Sequence, residues 1–251
     1  MRLLKNNIMP LVQHLEELRK VIIKCLIALC ISSVVGWWVR NDVMRFLVRP
    51  ITDKGYKLVY LTPMEPFFTE LKLAMITGFV LSFPFILWHV WGFLLPALKT
   101  SEKKYIKVTV VVSVFQFFIG VTFAFFSVFK IGINFFLAIG QDASVVPALS
   151  IGNYLSFVAC FILPFGLVFE LPLVMIILTK LGVVEPTVFT KNRKYALLLI
   201  LIASAIMTPG PDVFSQFMMG IPLYLLYEVS AFVSKIIYSN RNSEEDFQVL
   251  V

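Results

Sequence analysis

A carboxylate inside an apolar run is the residue most able to do chemistry in this chain. Glu170 is so placed, surrounded by Phe165, Val168, Phe169, Leu171 and Leu173. Ionised in hydrocarbon without a partner it would cost several kcal/mol, so it must face protein or water. It serves either a hydrated cavity or a partner helix, or it is a protonated carboxyl hydrogen-bonded inside the helix bundle. Gln216 and Glu228 lie in a later apolar run and read either as functional polar contacts or as interhelical bonds. Asp212 stands in the turn just before them. A second group of acids sits among basic residues: Glu16 and Glu17 beside Arg19, and Glu102 between Lys99, Lys103, Lys104 and Lys107. They either balance charge or receive a cation. Guanidinium is always charged and bonds carboxylates in a bidentate fork, so two separated acids could select two adjacent arginines.

Most catalytic chemistry has no residues to run on. The sequence has no phosphate-cradling GxxxxGK[ST] and no HExxH, and its two histidines, His14 and His89, cannot build a metal cluster alone. Cys25, Cys30 and Cys160 fall inside apolar runs without metal or disulfide spacing and read as small packing residues. An intramembrane protease would need a nucleophile with its base or two aspartates at depth, and Asp212 is the one candidate aspartate near the last two helices. No catalytic residue, metal or cofactor is therefore expected, and the chain reads as no enzyme. His14 is read as a solvated or interfacial side chain. His89 with Trp88 and Trp91 is read as an interfacial anchor.

The elements that must position these residues belong to a bilayer. Of 251 residues, 59% are hydrophobic and 15% charged, with mean hydropathy +0.88. So few charges cannot cover a soluble core of this size. The net charge of +7 does not indicate nucleic acid, because the basic residues cluster at the ends of apolar runs. The pattern predicts an all-α integral membrane protein with six spans, at about 21–39, 71–95, 108–129, 155–178, 195–207 and 213–233. An amphipathic helix occupies 1–20, where Leu11, Leu15 and Leu18 recur at helical spacing. Extramembrane caps at 40–70 and 130–154 and a polar tail at 234–251, disordered over 240–246, are the remaining segments. Pro84 should kink the second span, and Pro164 and Pro172 the fourth.

Fifteen of the 22 basic residues fall on the side of the N-terminus and seven on the other, which puts both termini in the cytoplasm. The fifth span is too short: 13 residues reach roughly 20 Å against about 30 Å of hydrocarbon. Thinning or hydration of the bilayer beside helices five and six follows as an expectation.

Five stretches carry a family resemblance: PLVQHLEELRK (10–20), PFF (66–68), WGFLLPALKTSEKK (91–104), SFVACFILPFGLVFELP (156–172) and TPGPDVFSQ (208–216). In this order they resemble the TatC family, the multi-spanning subunit of the twin-arginine (Sec-independent) protein translocase, over about 10–238. The resemblance implies a concave, glove-like bundle with helices five and six short, in the cytoplasmic (inner) membrane. It implies a core receptor that binds twin-arginine signal peptides of folded precursors. Such a receptor nucleates assembly of single-span TatA and TatB type subunits, drawing on the proton motive force within a homo-oligomeric complex in membrane lipid. It assigns Glu17 and Glu102 as the carboxylates facing the arginines, with Arg19, Phe93, Pro96 and Leu98 supporting that surface. Glu170 becomes the intramembrane acid, and Asp212 and Gln216 fall where single-span partners dock. The turn TPGPD carries one residue more than the commoner TPPD form, so Asp212 departs from the family pattern. The alternative from the residues themselves is an ion-coupled small-solute transporter with Glu170 as its ion or proton site, although no inverted repeat supports it.

Overall fold

The structure, a computed structural model, describes residues 5–94, 103–141, 148–180, 182–208 and 212–249. They form helices α1 (Lys5–Thr52), α2 (Glu65–Leu94), α3 (Lys103–Phe123), α4 (Lys130–Gln141), α5 (Ile151–Val168), α6 (Leu171–Lys180), α7 (Pro186–Lys191), α8 (Arg193–Met207) and α9 (Val213–Val249). A π-helical segment, Ala124–Phe129, joins α3 to α4, and two-residue strands β1 (Leu58–Val59) and β2 (Leu149–Ser150) complete the set. Among the described residues, five stretches are long and apolar enough to cross a bilayer: Gln13–Thr52, Glu65–Leu94, Lys107–Ile139, Ile151–Lys180 and Val213–Tyr238. The fold is all-α and the protein an integral membrane protein. Its chain divides into two compact units, one of Met1–Tyr56 and Tyr60–Val114, the other of Lys57–Val59 and Phe115–Val251.

In the first unit α1 runs 48 residues without interruption. The cap expected from position 40 begins as a continuation of the first span, because 40–49 holds neither glycine nor proline and keeps apolar residues at helical spacing. Leu47 and Ile51 bury that extension. The helix stops at Gly55, whose φ of 82° supplies a left-handed cap and whose N–H bonds the carbonyl of Thr52 at 2.9 Å. The turn into α2 is held by Glu65, whose Oε2 accepts the N–H of Leu61 at 2.6 Å and of Thr62 at 3.3 Å. Near that end Arg40 donates to Glu70 Oε2 at 3.0 Å and lies 4.3 Å from the Trp37 ring centroid. Pro84, inside α2, leaves the carbonyl of Val80 without its helical donor.

Small residues let α1 and α2 approach backbone to backbone. A Cβ added to Gly36 would stand 2.5 Å from the carbonyl oxygen of Ala74, and one added to Gly78 2.6 Å from the nitrogen of Ser33. Such crossings are the usual way helices pack where lipid removes the hydrophobic drive to associate. Trp91 is not the interfacial anchor expected of it. It is buried, and its Nε1 donates to Ser113 Oγ at 2.7 Å; Trp88 stays half exposed.

In the second unit the core gathers Ala124 and Val128 of the π segment with Phe161 and Phe165 of α5 and Met219 and Leu223 of α9. Gly120 admits α5 here, since a Cβ on it would meet the carbonyl of Phe165 at 2.8 Å. The segment expected as a cap from Lys130 begins as helix, to Gln141. It then returns through β2, which pairs in parallel with β1, Leu58 opposite Leu149 and Val59 opposite Ser150. Ser150 also caps α5, accepting the N–H of Asn153 at 3.2 Å.

The fourth span breaks where its prolines require. Pro172 has no N–H for the carbonyl of Val168, and its ring crowds that turn, so α5 ends at Val168 and α6 starts at Leu171. Pro164 likewise frees the carbonyl of Cys160, whose Sγ donates across to the carbonyl of Met207 at the end of α8.

Helices five and six differ from the expected pair. α8 has 15 residues, about 22 Å at 1.5 Å per residue, and is indeed short. α9 has 37 and is not. No glycine or proline follows Pro222, so nothing ends the helix at Val233, and the tail expected to be disordered continues it to Val249.

Candidate functional site

The candidate residues fall in two groups, one in each unit. In the first, Glu16, Glu17 and Arg19 are exposed on the N-terminal part of α1. Because α1 and α2 run antiparallel from their close crossing, the start of one reaches the end of the other. There His14 and Phe93 stack, ring centroids 4.4 Å apart and planes 16° from parallel. The sequence reading left His14 as a solvated or interfacial side chain; it is exposed, but it has a ring partner 79 positions away in the chain. Helical geometry then separates the two acids. Glu17, three residues on, shares the flank of α1 that carries His14, whereas Glu16 is turned about 160° from it, on the flank of Arg19. Glu102, Pro96 and Leu98 lie outside the described residues.

The second group lies in α5 to α9. Glu170 occupies the two-residue break between α5 and α6, and is only 8% exposed. Its N–H bonds the carbonyl of Leu167 at 3.1 Å and its carbonyl accepts from Val174 at 3.0 Å, so backbone geometry fixes it at the bend. A proline two residues on is the signal that located this break.

Asp212, Gln216 and Glu228 all serve the α8–α9 hairpin. Asp212 is the N-cap of α9, its Oδ1 accepting the N–H of Ser215 at 2.6 Å. Gln216 Nε2 donates to the carbonyl of Leu201 on α8 at 3.0 Å. Glu228 takes Arg193 at 2.9 Å on one oxygen and the hydroxyl of Tyr224 at 2.8 Å on the other. Thr208 Oγ1 returns to the carbonyl of Ser204 at 2.9 Å. The buried hydroxyls of Ser204 and Ser215 have no hydrogen-bond partner among the described residues. Sequence reasoning missed Arg193 and Tyr224, although Tyr224 precedes Glu228 by one helical turn, a spacing at which side chains meet.

A multi-spanning helical membrane protein, with acids at one helix end and polar side chains lacing a hairpin whose first arm has only 15 residues, is the class these features define. The family model described as Sec-independent protein translocase protein (TatC) matches residues 13–222. The Sec-independent protein translocase protein TatC of Carboxydothermus hydrogenoformans is 46% identical over 237 residues, 94% of this chain and 97% of that protein. Its counterpart in Escherichia coli (strain K12) is 35% identical over 240 residues, 94% of this chain and 92% of that protein. A crystal structure of the twin-arginine translocase receptor TatC superposes with a TM-score of 0.83 at 36% identity, covering 89% of this chain and 98% of that one. The chain belongs to the TatC family and is a component of the Sec-independent protein translocase. Membership in a protein-translocating family disfavours the solute-transporter alternative.

Proposed function

We propose that this protein is the core receptor of its translocase, binding twin-arginine signal peptides at the cytoplasmic face through Glu17 and Glu102, with Phe93, Pro96 and Leu98 forming the surrounding surface and Arg19 flanking it across α1. The observation that supports this reading is the stack of His14 on Phe93, which brings the end of α2 to α1 one helical turn before Glu17. A carboxylate beside a flat ring is what a guanidinium requires: a fork-shaped acceptor and a stacking plane. Likeness to a solved twin-arginine translocase receptor supports the same reading.

Both termini lie in the cytoplasm, α8 forms a sixth crossing of the inner membrane, and the α8–α9 hairpin receives single-span TatA and TatB type subunits. A folded cargo is wider than any gap six helices could line, so its passage requires those recruited subunits in a larger homo-oligomeric assembly driven by the proton motive force. Glu170 supplies a polar point within the membrane.

Binding of a twin-arginine peptide and its twin-lysine counterpart to the purified protein tests the reading. Arginine should be preferred, and Glu17→Ala and Glu102→Ala should each weaken binding of the arginine peptide several-fold. Equal affinity for both peptides, unchanged by either substitution, would remove the acidic clamp.

A further inference from the structure

We propose that His14 is a specificity-determining residue of the peptide site: its imidazole, backed by Phe93, presents a flat face on which one arginine of the signal peptide stacks while Glu17 takes the guanidinium edge. The inference rests on the receptor reading given above and adds to it a residue and a mechanism of discrimination.

Four features support it. The rings are stacked at 4.4 Å and 16°, and no second ring covers the imidazole among the described residues. His14 is exposed and Phe93 half-buried, so the pair is fixed on its α2 side and open on the other. A Cβ built on the neighbouring Gly92 meets nothing within 4 Å, so space lies open beside the ring. Along α1, Glu17 follows one turn later on the same flank, at the roughly 5–6 Å Cβ separation of residues three apart.

The chemistry of arginine uses both features at once. Guanidinium is planar, stacks on aromatic planes, and keeps its in-plane N–H groups free to bond a carboxylate beside the stack. An ammonium has no plane to stack and is a compact, strongly hydrated charge. Glu17 attracts either cation, so it contributes affinity. The ring pair favours arginine and so contributes selectivity.

The test measures the ratio of affinities for twin-arginine and twin-lysine peptides with the full-length protein in lipid nanodiscs. His14→Ala should reduce the ratio about two- to fivefold, the range of a cation–ring contact at an exposed site, chiefly by weakening the arginine peptide. His14→Phe, which keeps a plane on Phe93, should restore it. Glu17→Ala should lower affinity for both peptides. A wild-type preference for arginine that survives in His14→Ala would overturn this inference and leave the receptor reading intact. Failure of His14→Phe to restore the ratio in a protein of wild-type melting temperature would overturn the stacking mechanism. Absence of any preference in the wild type would sink the receptor reading itself, and this inference with it.

Discussion

At the scale of single residues, three polar side chains read as docking or structural contacts have hydrogen-bond partners within the chain, and this separates what each substitution should do. Asp212 caps α9 through the N–H of Ser215. Asp212→Ala should therefore lower stability by about 0.5–2 kcal/mol, read as a fall in melting temperature, and Asp212→Asn, another good cap, should recover most of it. An unchanged melting temperature with lost subunit recruitment would transfer the residue's main role to docking. Glu228 is bonded on both oxygens, but its ion pair with Arg193 is open to solvent, the two side chains being 27% and 52% exposed. Glu228→Gln keeps an acceptor for Tyr224 and should cost no more than about 1 kcal/mol; a larger loss in thermal unfolding would mean that the pair is shielded in the membrane. Glu170 was legible from sequence because a charge in an apolar run is costly wherever the run folds. The stack of His14 on Phe93 was not, since nothing local to either residue encodes a partner 79 positions away.

At the scale of elements, five apolar spans were legible and their ends were not. Apolar runs mark what lipid or core must cover, but helix continues through polar sequence where no cap or break ends it. That is why α1 reaches Thr52, where Gly55 follows, and α9 reaches Val249, with no stop after Pro222. Pro172 announced the break at Glu170, whereas the π segment Ala124–Phe129 left no mark in an unbroken apolar stretch. The crossing of α1 and α2 is the element on which the peptide site depends. Gly78→Val would force side-chain carbon into Ser33 and push the helices apart. Phe93 lies 15 residues further on, roughly 22 Å along α2, so the displacement should be carried to the stack. With cysteines at positions 14 and 93 in a background lacking native ones, a short bismaleimide should cross-link efficiently in the parent and poorly after Gly78→Val. Equal yields would show that the helix ends are held together independently of the crossing.

At the scale of the whole molecule, the number of crossings turns on α8, whose 15 residues fall short of the hydrocarbon thickness. If α8 crosses, cysteines placed singly at positions 54 and 246 of a cysteine-free protein should respond oppositely to an impermeant maleimide added to intact cells, position 54 reacting and position 246 protected. Labelling at both positions would leave five crossings and an external C-terminus. The arrangement of the extramembrane parts carries a further consequence, in time instead of space. Leu149 follows its strand partner Leu58 by 91 residues. At about 5–20 residues per second of synthesis, the first strand waits roughly 5–18 s for the second to be made. Two long helices, α2 and α3, must be threaded through the membrane during that interval. The pairing is therefore a late-closing latch, and a ribosome stalled before Leu149 would leave a nascent chain whose early spans are inserted but whose first strand is still unpaired.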